Sequence, residues 1–469
     1  MAPNPTPTPP PPLETNQRIW PLTATINNAG HLAVGGCDLV ELAKQYGTPL
    51  YVIDEAGVRT AARGYVDGMA RCYPGDSLVI YASKAWNMLA LCALMQQEGV
   101  GIDVVSGGEL ATALQAGVDP ARIYFHGNNK SEQELAAALA AGITLVVDNW
   151  LELETLHRLT LQNGQAENRQ VQNGQTKSEK DKPRIMLRLT PGIECHTHDY
   201  IRTGHLDSKF GFDPDEVTGL FDWLLANPQL QAVGLHAHIG SQIFELQPHR
   251  DLANGMVEIY ARGRQLGLPF SELNIGGGLG ICYTMDDDPP AISVWVETVA
   301  AAVAAACDSI ALPYPKLICE PGRSLIGSSG ITLYQVGARK TVPNMRTYVS
   351  VDGGMSDNPR PITYGARYSA LLANRPQAAA DELVTVAGKH CESGDVLLRD
   401  VMLPIMQAGD LLVVFATGAY NASMASNYNR LPRPAAVMVR DGQPAVVMVR
   451  ETVEDLLRQD RLPPQWQKA

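Results

Sequence analysis

The chain has no C-x-x-C pair and no clustered cysteines: its eight, at 37, 72, 92, 195, 282, 307, 319 and 391, are scattered over 469 residues. Neither a disulfide framework nor a thiolate zinc site is expected, and a reducing cytoplasm fits best. Basic residues are scarce as well. Lys and Arg number 37 against 49 Asp and Glu, a net charge of -12, which argues against nucleic acid or an anionic membrane as partner and leaves small charged molecules. No uninterrupted apolar run approaches the length of a membrane span. The opening "MAPNPTPTPPPPLETNQ" lacks a basic n-region and an apolar h-region, so residues 1–12 read as a disordered proline-rich leader, not a secretory signal. The G-x-G-x-x-G spacing of a first strand-helix-strand unit is also missing, which excludes a dinucleotide fingerprint.

What is present is an alternation. With 45% hydrophobic residues the chain can fill two substantial cores. Short β-rich runs, "SLVIY", "GIDVV", "RIYF", "TLVV", "RIMLRL", "AVGLHAHI", "ELNI" and "KLICE", are separated by helix-length segments, and another such segment, Glu55 to Cys72, precedes the first run. Ser106 to Glu109 and Ser131 to Glu134 have the S-x-x-E spacing of capping boxes. Eight strand-helix units imply a closed (β/α)8 barrel of the TIM type, expected over 50–327. The polar stretch 162–182, which repeats QNGQ, is expected as a disordered insertion, since it cannot bury enough surface to order itself. After Gly327 the chain reads as strands joined by turns, and two copies of VMVR flank Asp441-Gly442, a hairpin signal. Residues 13–49 and 328–469 are therefore expected to form a second, sandwich- or barrel-like β-domain.

In a parallel barrel the chemistry gathers at the C-terminal ends of the strands. There the sequence places Lys84, "SGGEL", His126 of "HGNNKS", Asp148, "TPGIECHTH", "HIGS", "GGGLG" and "EPGR". Lys84 by itself reads as a snorkelling lysine. Gly276, Gly277 and Gly278 could close their amides around a phosphate, or simply make a tight turn. His236 and His238, two apart on a strand, could bind metal, but the further histidines and the closing aspartate of metal-dependent amidohydrolases are absent. No metal is expected. A lysine, a phosphate nest, a flat imidazole and a buried acid around one mouth are what pyridoxal 5'-phosphate requires, with Glu320 placed to keep the pyridine nitrogen protonated.

The motifs "YASKA", "DVVSGGEL", "HGNNKS", "SKFG", "HAHIGSQ", "GGGLG", "EPGR", "RPITYGA", "CESGD" and "GAY" resemble those of the fold-type III pyridoxal-phosphate decarboxylases, most closely the diaminopimelate decarboxylase family. The resemblance covers about residues 45 to 430. It implies that Lys84 is the lysine joined to the cofactor, that His238 stacks on the cofactor ring, and that Glu320 pairs with its nitrogen. It further implies that Ser241, Gly276 to Gly278 and Tyr420 hold the cofactor, mainly by its phosphate. Arg323, Arg360, Tyr364 and Tyr420 would bind substrate, the first three through its distal carboxylate, and Glu392 would meet its distal ammonium. Cys391 would be the acid that reprotonates carbon. The family forms homodimers in which Cys391 and Glu392 enter the partner's site. The expected reaction is decarboxylation of meso-diaminopimelate to L-lysine, the last step of lysine biosynthesis. Decarboxylation of ornithine or arginine, or a non-catalytic regulator on the same scaffold, are the alternatives.

Overall fold

The computed structural model describes residues 12–170, 182–190, 192 and 208–466. Eight parallel strands, Ser77–Ala82, Gly101–Val104, Ile123–Phe125, Thr144–Val147, Arg184–Arg188, Gln231–His236, Glu272–Asn274 and Lys316–Cys319, pair in chain order, and the eighth returns to the first to close a barrel. Their residues are apolar on both faces because both faces are covered. Leu78, Ile80, Tyr124, Val146, Met186, Val233 and Ile318 fill the interior. Val79 and Tyr81, pointing the other way, join the larger core beneath the helices.

The helices begin where their caps allow. Ser131 and Glu134 form a complete capping box at the helix Glu132–Ala141, which ends at left-handed Gly142. At Ser106 only half the box forms. Its hydroxyl accepts from the Glu109 N–H, but the Glu109 carboxylate turns inward to accept from the Val105 N–H at 2.8 Å and lies 3.4 Å from the Ser83 hydroxyl. The helix Ile292–Ser309 is apolar and long enough by composition to cross a membrane, with a mean hydropathy of 1.4. Here Ile292, Trp295, Val296, Val299 and Val303 form one buried stripe on the barrel wall, and alanines supply much of the remaining hydropathy.

Beside the barrel stands a nine-stranded sheet whose central path runs 396–403, 382–387, 346–351, 330–342, 50–54, 435–440 and 443–448. The long strand Gly330–Val342 belongs to both halves: its start pairs with Leu50–Asp54 and Leu411–Val414, its end with Arg346–Val351. Asp441 and Gly442, both with positive φ, turn the hairpin between the two VMVR copies. Residues 25–38 add a three-stranded sheet, and Leu32, Val34 and Leu39 pack on Leu50, Ile331, Val413 and Val437.

Two boundaries differ from those expected. Leu50–Asp54 is a strand of the second sheet, pairing with Gly330–Leu333 and Ala435–Val439, so the barrel unit opens at the helix Glu55–Cys72. An apolar run followed by a helix is as good a start for either domain, and only the partner strands decide. The polar segment expected as an insertion is helical at its start, because the helix Trp150–Gln170 runs into it; 171–181 lies outside the described residues, as do residues 1–11 and most of "TPGIECHTH".

At Gly234 the sixth strand has no room for a side chain against the seventh. A Cβ there would lie 1.8 Å from the Glu272 carbonyl oxygen, and a bulge between Ala232 and Gly234 shifts the register of the sixth strand against the fifth. G234A is expected to cost about 3 kcal/mol, read as a lowered midpoint in urea denaturation; an unchanged midpoint would mean that the strand relaxes at no cost.

Candidate active site at the barrel mouth

One step beyond the apolar interior the barrel turns polar. Tyr124 is followed two residues later by His126, Val146 by Asp148, Met186 by Arg188 and Ile318 by Glu320, as the two-residue period of a strand requires. All four polar residues are buried, with Asp103, His236 and Asn274 beside them. Glu320 is at the centre. Asn274 Nδ2 donates to its Oε1 at 2.6 Å, His236 Nε2 lies 3.1 Å from Oε2, and His126 Nε2 lies 2.8 Å from Oε1. Burial alone would raise the Glu320 carboxyl, but the two imidazoles outweigh it and hold the group well below the usual carboxylate range. Burial takes His236 the other way, down to about 4. Arg188 is kept in place by Asp148 at 3.8 Å and by the face of Phe210 at 4.3 Å, which is the local role of "SKFG".

Above this layer is a cavity of about 520 Å³. Lys84, His238, Ser241, Gly278, Glu320, Arg323, Arg360, Tyr364 and Tyr420 all line it. Lys84 is exposed at the end of the first strand, and among the described residues its ammonium has no hydrogen-bond or ion-pair partner. Lys130, the lysine of "HGNNKS", is committed elsewhere: it donates to Glu152 at 2.7 Å and to the carbonyls of Gly127 and Val146. Burial, then the nearby Lys84 charge, drive the His238 imidazole well below its ordinary value, so the ring is neutral. Its Nδ1 accepts from the Gly277 N–H at 3.3 Å.

The glycines act less as a nest than as a close approach. Gly276 N–H is bonded to Asn274 Oδ1 and Gly277 N–H to His238, and only Gly278 of the three lines the cavity. A Cβ on Gly277 would lie 2.2 Å from the Glu320 carbonyl oxygen, and Gly276 and Gly278 have φ of 65° and 124°. The H-x-H pair does not converge on one point either. His236 meets His126 and Glu320, three groups whose ligand atoms lie within 4.8 Å of one another, while His238 faces the cavity.

The second domain closes the cavity. Tyr420 holds a left-handed φ of 61°, its N–H bonded to the Ala85 carbonyl of the Lys84 turn. Arg323 donates to the Ser241 hydroxyl from Nε and Nη2, at 3.2 and 3.0 Å, and from Nη1 to the Tyr283 hydroxyl. Arg360 lies 4.8 Å from the centroid of the same Tyr283 ring and donates to Tyr368 at 2.7 Å. Sequence reading missed Tyr283, Asn274 and the role of His126; the two-residue step from interior positions could have found His126, whereas nothing local marks Tyr283. Cys391 and Glu392 are exposed and lie off the cavity wall.

Residues 63–327 match the family described as pyridoxal-dependent decarboxylase, pyridoxal binding domain. The chain is 58% identical over 456 residues to a diaminopimelate decarboxylase of Synechocystis, covering 96% of this chain and 94% of that one. The chain belongs to the pyridoxal-dependent decarboxylase family. A diaminopimelate decarboxylase of Bacillus methanolicus is 46% identical over 92% of this chain and 96% of its own. The crystal structure of a diaminopimelate decarboxylase from M. jannaschii in co-complex with L-lysine superposes with a TM-score of 0.86 at 31% identity, over 97% of this chain and all of that one.

Among the mouth residues of this family member, Glu109 has a separable signature. Burial pushes its carboxyl from 4.5 up to about 7, against the Val105 hydrogen bond. The folded state then keeps a proton that the unfolded chain releases, so stability declines as pH rises from about 4.5 to about 7. E109Q is expected to flatten that decline, measured as denaturation midpoint against pH; an unchanged slope would place the titration elsewhere.

Proposed function

We propose that this protein is a pyridoxal-phosphate-dependent carboxy-lyase that converts meso-2,6-diaminopimelate to L-lysine and CO2, the last step of lysine biosynthesis. The observation that carries the reading is one cavity lined both by Lys84 and Glu320 and by the buried guanidinia of Arg323 and Arg360. The first pair suits the cofactor and the second suits a substrate with a carboxylate remote from the reacting carbon.

The residues present fit the cofactor. A buried carboxylate on the cavity wall already takes an amide donor and lies within 3.1 Å of two imidazole nitrogens, a neutral imidazole lines the same wall, and among the described residues the ammonium of Lys84 has no hydrogen-bond or ion-pair partner. Bound pyridoxal phosphate supplies an electron sink for the pair released when the carbon–carboxylate bond breaks. Lys84 would provide the amine that joins the cofactor and then yields its place to the substrate amine. Glu320, held ionised, would keep a proton on the pyridine nitrogen. His238 would lie against the ring. Ser241, Gly278 and Tyr420 would receive the phosphate, Gly276 and Gly277 would keep the backbone turn that brings Gly278 to the cavity, and Tyr420 would also border the substrate. Arg323, Arg360 and Tyr364 would orient the distal carboxylate, away from water.

The exposure of Cys391 and Glu392 supports a homodimer with shared sites: Glu392 of the partner subunit would meet the distal ammonium, and Cys391 of the partner subunit would deliver the proton to carbon. The free cysteines, seven among the described residues, support a cytoplasmic location. Ornithine and arginine end in a cationic tail and would leave the two guanidinia without a counter-charge.

Borohydride treatment of the cofactor-loaded protein followed by peptide mapping should label Lys84, and turnover of meso-diaminopimelate should exceed that of ornithine and arginine. A label on another residue overturns the site, and faster turnover of either amine overturns the substrate. E320Q should lower kcat by roughly 10²-fold with cofactor absorbance retained.

A further inference from the structure

The loop that carries Cys391 and Glu392 is fixed by one buried pair. Asp395, 3% exposed, and His390, 7% exposed, meet with Nδ1 of the imidazole 2.7 Å from Asp395 Oδ2. The backbone N–H of His390 donates to the same oxygen at 3.0 Å. The other carboxylate oxygen accepts from the Met355 N–H at 2.7 Å. A carboxylate can only accept here, so Nδ1 carries the proton and the ring is oriented.

Two glycines make room for this carboxylate. A Cβ on Gly354 would lie 2.5 Å from Asp395 Oδ1, and one on Gly388 would lie 2.1 Å from Oδ2. Gly388 has no positive φ that would itself call for glycine, so space for the Asp395 carboxylate is the reason for its missing side chain. Backbone bonds close the unit, from the Gly388 N–H to the Asp395 carbonyl at 3.0 Å and from the Lys389 N–H to the Gly353 carbonyl at 2.9 Å. The imidazole stacks on Tyr428, with centroids 6.0 Å apart and 21° between planes, and the Cys391 N–H donates to Asn429 Oδ1 at 2.8 Å. Everything around His390 therefore sets where the next two side chains project.

We propose that Asp395 and His390 are positioning residues for the reaction. Their pair presents Cys391 and Glu392, as a rigid edge, to the active site of a second copy of this chain. The inference rests on the decarboxylase reading with shared sites. It adds that the motif "CESGD" works as a unit of five, with its aspartate reaching back to the histidine before the cysteine. The same carboxylate holds Met355, on the segment leading to Arg360 of the subunit's own site, so a purely local role is the alternative to be separated by experiment.

In the cofactor-loaded homodimer, D395N and H390L are expected to lower kcat/KM for meso-diaminopimelate by roughly 10²-fold, with cofactor absorbance retained. H390N, whose amide can still donate to Asp395, is expected to retain most activity. Iodoacetamide labelling of Cys391 should be slowed by saturating L-lysine in the parent and in H390N, and should lose that protection in D395N and H390L. Should H390L fail to fold, the nearly isosteric D395N decides. Mixed dimers of D395N with K84A are expected to regain activity, since one of their two sites combines Lys84 with an unaltered loop. If they stay inactive while C391A mixed with K84A regains activity, the pair acts only within its own subunit and the inference falls. If neither mixture regains activity, the shared-site reading falls and takes this inference with it.

Discussion

The mouth of this barrel is arranged around keeping one carboxylate charged where water is excluded. An ionised carboxylate in an apolar interior is costly unless it is paired and hydrogen-bonded. Glu320 is surrounded by Asn274, His236 and His126, each from the end of a different strand. Asn274 in turn accepts from Gly276, so the glycine turn and the carboxylate are fixed by one amide. The histidine reaches the cavity through the same turn, with Gly277 donating to His238. The charge, the flat ring and the close backbone approach are thus parts of one hydrogen-bonded assembly.

Much of this was legible in the sequence because parallel strands obey a simple geometry. Strand ends announce themselves by a change from apolar to polar or glycine-rich residues, and the barrel places all of those ends together. That rule was enough to put Lys84, His238, Glu320 and Arg323 around one cavity. It gave less where a residue's partner is remote in the chain. Glu109 has the spacing of a capping residue but turns inward, because the Val105 N–H needs an acceptor. Tyr283 sits in a loop and gains its place only once Arg323 and Arg360 flank its ring. The run "LYVID" reads as a strand from any viewpoint, yet its sheet depends on residues nearly three hundred positions away.

Cys391 shows the limit from the other side. Resemblance marks it as chemical, and the structure puts it on an exposed loop away from the cavity wall of its own subunit. A reactive side chain on a freely moving loop would lose the alignment that catalysis needs. The buried carboxylate of Asp395 and the two glycines that admit it supply rigidity at the root of that loop.

The placement of Leu50–Asp54 has a consequence for how the protein can be divided. Leu50 to Ile53 pair with Gly330–Leu333, and the Asp54 N–H donates to the Ser329 carbonyl at 2.8 Å. The chain therefore enters and leaves the barrel through adjacent strands, which together make a double strap between the two domains. A gene cut after Gly327 would not release two modules. It would strip a central strand of both its neighbours and expose its hydrogen-bonding edges to whatever chain came next.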